Sequence, residues 1–252
     1  MKKRVIIIGA SSGIGRALAE YYASCGCKVG IAARREEALM EIAAAYPSAI
    51  VYKVMDVTDD SASQKMLELL GETSGADLVI YCSGAGRYSE TLSPANEHLT
   101  TDVNVKGFLN IIVTAFNYFV GRESGKSTPS VLKSGVKPQI VTISSVASIR
   151  GLAPTPSYSA TKRFQTIYFE ALEQKACRLG LKITFTAIIP GFIATDFINR
   201  KYPLTMQLPY AVKQIIRAIE KRKRVAVIDW KWRLIVSFMK IIPSFIWRRL
   251  PI

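Results

Sequence analysis

Tyr158 and Lys162 stand four residues apart in a segment whose apolar residues Phe164, Ile167, Tyr168, Ala171 and Leu172 recur at helical spacing. On a helix that spacing sets a phenol and an ammonium one turn apart on the same face. A free phenol titrates near ~10, so tyrosine is a poor acid or base at neutral pH. An ammonium one turn away favours the phenolate and lowers the phenol's pKa. Ser145 follows residues 139–143, which alternate branched apolar residues with Thr as a buried strand does. A hydroxyl at the carboxyl end of that strand can hydrogen-bond the same substrate oxygen. Together the three groups would donate a proton to a carbonyl or take one from an alcohol. The same Tyr–Lys spacing arises on any helix with a half-buried Tyr beside a solvated Lys, so the chemistry depends on what the rest of the chain supplies.

The elements that must position these groups begin at the amino end. Residues 4–8 (RVIII) are a short apolar run suited to a buried parallel strand. Gly9-Ala10-Ser11-Ser12-Gly13-Ile14-Gly15 follows, then a helical pattern through Leu18, Ala19, Tyr22 and Ala23. Strand, glycine turn and helix predict a phosphate-binding element, with helix N–H groups meeting the negative charge. The spacing is not the more common Gly-x-Gly-x-x-Gly. A second strand over 28–33 ends at Arg34 and Arg35. A carboxylate there would bind the ribose 2′-hydroxyl of NAD, whereas arginine accommodates the 2′-phosphate of NADP. No acid precedes Glu36, and two guanidiniums offer bidentate phosphate contacts, so the sequence favours NADP over NAD.

Residues 36–46 read as a helix and 50–55 as a third strand ending at Asp56 and Val57. Asp56 stands where it would bond an adenine amino group with Val57 on the ring; the alternative is a cap on the next turn. After a helix over 61–70, the fourth strand (77–82) leads into Ser83-Gly84-Ala85-Gly86, small residues that let backbone pass beneath a cofactor. A long apolar helix over 99–118 contains Asn104, which is costly there unless hydrogen-bonded. Residues 121–138 read as an exposed loop. A sixth strand over 182–189 ends at Pro190-Gly191-Phe192-Ile193-Ala194-Thr195, where Thr195 would bond a carboxamide or phosphate. Residues 192–208 are irregular and apolar, a lid over a substrate built from Phe192, Phe197, Tyr202, Leu204 and Met206. A helix over 210–221 and a strand over 224–228 close this part of the chain.

Bulk properties narrow the classes. The chain of 252 residues suits one α/β domain, and its one histidine and four cysteines without paired spacing leave no zinc site or Ser-His-Asp set. Lys2, Lys3 and Arg4 precede an apolar run too short for a secretion signal, so the reading is a cytosolic protein with reduced thiols. Of the net charge of +15, most falls late: residues 199–252 hold 13 Lys and Arg against Glu220 and Asp229. Residues 230–252 (WKWRLIVSFMKIIPSFIWRRLPI) mix three Trp with apolar and basic residues, interrupted by Lys240 and Pro243. A spanning helix needs roughly twenty apolar residues, so this tail does not cross a bilayer. Two placements remain for it: in a membrane interface, or packed on the chain's own body or a neighbouring subunit.

In order and spacing, Gly9-x-x-x-Gly13-Ile14-Gly15, Asp56-Val57, Asn104, Ser145, Tyr158-x-x-x-Lys162 and Pro190-Gly191 resemble the short-chain dehydrogenase/reductase family in its compact form, over nearly all of residues 1–229. The resemblance implies a single-domain, Rossmann-type doubly wound parallel sheet with a nicotinamide dinucleotide across the strand carboxyl ends. It implies Tyr158 as proton donor and acceptor and Ser145 as the group that polarises the substrate oxygen. Lys162 would lower the Tyr158 pKa and bind the nicotinamide ribose, and Asn104 would support a proton-relay water. Gly9, Ser11, Ser12, Gly13, Ile14, Gly15, Arg34, Arg35, Asp56, Val57, Ser83, Gly84, Pro190, Gly191, Ile193 and Thr195 would contact the cofactor, with no metal. The family's Asn-Asn-Ala-Gly after the fourth strand is replaced by Tyr81-Cys82-Ser83-Gly84, which removes hydrogen bonds that usually tie the central strands together. A homodimer or homotetramer is the implied assembly. The expected function is NADP(H)-dependent hydride transfer to or from a carbonyl or secondary alcohol of an apolar substrate. The alternatives are an NADP(H)-binding sensor or scaffold without turnover, and a peripheral membrane or nucleic-acid-binding protein acting through its basic tail. No nucleic-acid motif supports the last of these.

Overall fold

Every residue of strand β1, Arg4–Ile8, is buried. A branched apolar run of that kind is accommodated only at the centre of a sheet covered on both faces. In the computed structural model, which describes residues 2–86, 91–124, 135–197 and 202–250, β1 pairs in parallel with β2 (Lys28–Ala33) and β4 (Leu78–Tyr81). With β3 (Ile50–Val54), β5 (Gln139–Ile143), β6 (Thr184–Ile189) and β7 (Val225–Val227) they form a seven-stranded sheet of order β3-β2-β1-β4-β5-β6-β7. All pairings are parallel. Strand order reverses between β1 and β4, and the crevice outside the carboxyl ends at such a switch point is where open α/β sheets bind ligands.

Helices cover both faces. Helices α1 (Gly13–Ser24), α2 (Glu36–Ala45) and α7 (Leu208–Glu220) share one apolar core with Val5, Ile7 and Ile31. On the opposite face α3 (Ala62–Glu72), α5 (Phe108–Ser124) and α6 (Pro156–Arg178) enclose Ile6, Ile8 and Val79. The alternate residues of β1 thus feed two different cores, as strand pleating requires.

The helix expected over 99–118 is longer and not uniform. It runs as α4 (Pro94–Thr101), a π-helical segment at Asp102–Gly107 and then α5. A π turn widens the backbone and leaves carbonyls without their usual helical donors. Here Tyr81 Oη donates to Val103 O at 3.0 Å and Gln165 Nε2 to Asn104 O at 2.9 Å. By length and composition the continuous stretch Pro94–Ser124 is apolar enough to cross a membrane. Its Phe108, Ile111, Ile112, Ala115 and Phe119 are buried against the sheet, so it is a core helix. Residues 121–124, expected in a loop, are its last turn. Buried Arg122 holds that turn by donating to Ala76 O and to Asp77, which also pairs with Arg4. The rest of the expected loop, 125–134, lies outside the described residues.

Past β7 the chain forms α8 (Trp230–Ile241) and α9 (Ser244–Trp247). Asp229 caps α8 by accepting from Lys231 N–H at 2.8 Å. Trp232, 6% exposed, joins Val236 in the β1 core, and its ring lies so close over Gly191 that any Cβ there would collide with it. Its indole N–H donates to Leu204 O at 3.3 Å. Further on, Arg150 donates to the carbonyls of Met239 and Ile242, while Trp247 donates to Gly151 O at 2.9 Å. One face of the C-terminal segment therefore packs on the chain's own body. Trp232→Ala should lower stability by about 3–5 kcal/mol, the usual cost of emptying a buried aromatic site, read as a fall in urea midpoint.

Candidate active site

The turn after β1 is shaped by what approaches it. Gly9 has φ +86°, and a Cβ on it would strike the Ser83 backbone. Gly15, one turn into α1, stands where a Cβ would collide with Gly9 O, so the helix packs directly on the strand end. Ser12 precedes α1 with no side-chain cap, and the first turn carries no acid. The N-terminal N–H groups of α1 are thus left to face an anion. Arg35 lies across this turn, donating to Ser11 Oγ at 3.0 Å and to Ser12 Oγ at 2.6 Å. Arg34, also exposed, sits 3.8 Å from Asp56. Asp56 accepts from the Thr58 N–H and hydroxyl at 2.9 and 2.8 Å, the turn-capping arrangement. Burial would raise its pKa, but the Thr58 bonds and the Arg34 charge outweigh that and hold it below the ordinary aspartate value.

From this turn a cleft of about 900 Å³ runs to the start of α6. Gly9, Ser11, Ser12, Gly13, Ile14, Arg34, Arg35, Asp56, Val57, Ser83, Gly84, Ser145, Tyr158, Lys162, Pro190, Gly191, Ile193 and Thr195 all line it. Gly15 and Asn104 stand behind its wall.

At the far end Tyr158 and Lys162 share one face of α6, with the ammonium 5.8 Å from the phenol ring centre. Gly86 permits this placement, because a Cβ there would overlap the Tyr158 ring. Ser145 heads a short 3-10 turn (Val146–Ser148) and accepts from Ala147 N–H at 3.1 Å. Its own proton therefore remains to be donated into the cleft. Lys162 is buried and donates to Ile143 O at 2.9 Å and Gln165 Oε1 at 3.2 Å. Asn104 is fully engaged: Oδ1 accepts from Ala85 N–H at 2.9 Å, and Nδ2 donates to Ala85 O at 2.7 Å and Thr161 Oγ1 at 3.0 Å. Gln165 thus links Lys162 to the backbone carbonyl of Asn104, the residue expected to support a relay water. Sequence reading missed Gln165, whose role appears only once α6 packs against the π segment.

The electrostatics correct one expectation. The net shift at Tyr158 is upward, not downward: burial raises its pKa, and the neighbouring Ser145 hydroxyl pulls the other way. Burial draws the Lys162 ammonium down to about 8, so at neutral pH it is still mostly charged but gives up its proton more readily than a free lysine. Cys82, in the cleft wall beside it, is pushed up to about 12 by burial and stays a neutral thiol. The lost family asparagines are partly replaced by Tyr81, whose buried hydroxyl holds the π segment.

The lid divides in two. Phe192, Phe197 and Tyr202 line the cleft, Phe192 and Tyr202 stacking with ring centres 4.2 Å apart and Phe197 lying 5.9 Å from the Tyr158 ring. Leu204 and Met206 do not line it: Leu204 faces solvent, and Met206 is buried where its backbone pairs with Phe192 and Ala194. Residues 198–201 lie outside the described residues.

A doubly wound parallel sheet with a glycine turn at its switch point defines a Rossmann-type dinucleotide fold. The model of the short chain dehydrogenase family matches residues 3–203, and the chain belongs to that family. It is 29% identical over 261 residues to an uncharacterized oxidoreductase of Mycobacterium tuberculosis, covering 98% of this chain and 97% of that one. An uncharacterized oxidoreductase of Listeria monocytogenes is 31% identical over 206 residues, 79% of this chain and 78% of that one. Among solved structures, a short chain dehydrogenase from Burkholderia cenocepacia in complex with NADP superimposes with TM-score 0.81 at 18% identity, covering 100% of this chain and 98% of that one. One from Burkholderia phymatum in complex with NAD gives 0.80 at 20% identity, covering 100% and 96%.

Lys162 also leaves a mark on stability. Its folded pKa is about 8 against an ordinary 10.5, so between those values the unfolded chain holds a proton that the folded chain has released. Stability should rise with pH across that window. Lys162→Met should remove that part of the slope, which urea midpoints measured through the window will show.

Proposed function

We propose that this oxidoreductase uses NADPH to reduce the carbonyl of an apolar substrate, and runs the reverse alcohol oxidation when NADP is supplied. The observation that carries the reading is the convergence of Tyr158, Ser145 and Lys162 on the cleft that begins at the glycine turn. The residues present fit the cofactor. The open α1 N-terminus, the Gly9 turn and the small residues Ser83 and Gly84 suit a pyrophosphate passing close to backbone. Arg35 reaches over the two serines, and no carboxylate among the described residues pairs with it. A guanidinium so placed suits a 2′-phosphate.

When bound, NADPH supplies the hydride. The chain's own groups manage the carbonyl oxygen, which takes up a proton while the carbonyl carbon takes the hydride. Ser145, its lone pair taken by Ala147 N–H, donates its proton to the substrate carbonyl and fixes its direction. Tyr158, kept protonated by burial, gives its proton as negative charge develops on that oxygen. Lys162 stands against the resulting phenolate, and its lowered pKa makes it able to pass a proton on. Gln165 holds Lys162 in place from behind. Phe192, Phe197, Tyr202 and Leu152 offer the substrate apolar walls and exclude water.

The test is carbonyl-dependent NADPH oxidation over a panel from small diketones to long-chain and ring ketones, with NADH in parallel. Tyr158→Phe should lower kcat/KM by roughly 10²–10⁴-fold while leaving NADPH binding intact. Arg35→Ala should weaken NADPH far more than NADH. Tight NADPH binding with no turnover of any carbonyl would favour the sensor reading, and a wild-type preference for NADH would remove the Arg35 argument.

A further inference from the structure

Helix α8 has two apolar faces, and the fold uses only one. Trp232, Val236 and Met239 form the buried stripe. Turned half way round, at 3.6 residues per turn, are Trp230, Leu234, Phe238 and Ile241, all exposed, Phe238 at 63% and Ile241 at 74%. Phe245, Ile246 and Leu250 continue the exposed apolar surface beyond the helix. Single exposed apolar residues are ordinary, but a contiguous stripe of this size marks an interaction site.

The cations decide what kind of partner it fits. On α8, Lys240 and Arg233 border the exposed stripe on one side and Lys231 on the other, with Arg248 and Arg249 at the end of the segment. None of the five pairs with a carboxylate among the described residues. An apolar stripe with Trp at its margin and unpaired cations on both flanks has the composition of a helix lying in the plane of an anionic bilayer surface. A second copy docked through the same face would set these unneutralised cations against one another. We infer that the α8–α9 surface docks the protein on anionic membrane, with Leu234, Phe238 and Ile241 entering the acyl boundary and the flanking Lys and Arg meeting lipid phosphates. This inference is independent of the proposed reaction.

The test uses the full chain in flotation with phosphatidylcholine vesicles and with vesicles doped with phosphatidylglycerol, at low and high salt. Binding should require phosphatidylglycerol and weaken with salt. The variant Leu234→Ser, Phe238→Ser, Ile241→Ser alters only exposed side chains, so it should keep wild-type thermal unfolding and NADPH binding yet lose vesicle affinity by about tenfold or more. Arg248→Glu with Arg249→Glu should weaken binding to the anionic vesicles alone. Failure of the wild-type chain to float with either vesicle would overturn the inference. So would equal, salt-insensitive binding to both, a dimer dissolved by the triple variant in a chain that ignores vesicles, or binding to oligonucleotides without binding to vesicles.

Discussion

Taking the Lys162 ammonium out of water is the constraint around which the site is built. An unpaired buried ammonium is too costly to keep, and a buried one survives only where its donors are met. Ile143 O, at the end of β5, and Gln165 Oε1, one turn along α6, meet two of them. Gln165 is itself fixed by the Asn104 carbonyl, and Asn104 by the Ala85 backbone and Thr161. One unbroken set of hydrogen bonds thus joins β5, α6, the π segment and the loop after β4. The π turn gains a reason from this. A regular α-helix would have spent the Asn104 carbonyl internally; the wider turn releases it for Gln165. The position of Tyr158 is then the by-product of satisfying a lysine.

The two ends of the cleft are made by different means. Near the glycine turn, close approach of backbone shapes the floor, and the side chains of Ser11, Ser12, Asp56, Arg34 and Arg35 stand around it. Near Tyr158 the walls are side chains, and they are held from outside the sheet. Phe192 packs edge-on against Trp232, with centres 5.4 Å apart, and Trp232 in turn requires the bare backbone of Gly191. The C-terminal helix is therefore the outer buttress of the substrate wall.

How much of this the sequence discloses depends on how local the determinant is. The strands and the glycine turn are legible because β-branched runs and glycine spacing act over a few residues. Ser145, Tyr158 and Lys162 are legible from equally short spacings, whereas other cleft residues such as Leu99, Val103, Leu152 and Thr155 are not. Gln165, Thr161 and the π segment were not legible, since their roles exist only when α6 packs on the helix before it. The net direction of the Tyr158 shift was misjudged for a related reason: spacing shows that an ammonium is near, but only the packed structure shows that the phenol is desolvated. Leu204 and Met206 were placed in the lid on composition alone, whereas Met206 pairs with Ile193 and is buried, and Leu204 is exposed.

Residues 230–252 read from sequence as either an interfacial segment or a packed one, and α8 shows why those readings need not compete. A helix has room for two stripes when its cations are confined to the flanks. The buried stripe orders the helix before any partner arrives, so docking of the outer stripe would not have to meet the ordering cost that a disordered amphipathic tail incurs. The same rigidity has a second effect. Trp232 ties the helix to Gly191, Phe192 and Leu204, so the docking helix and one wall of the cleft are packed together. Surface attachment and substrate admission would then share one helix, with the apolar lid next to the phase in which an apolar substrate concentrates.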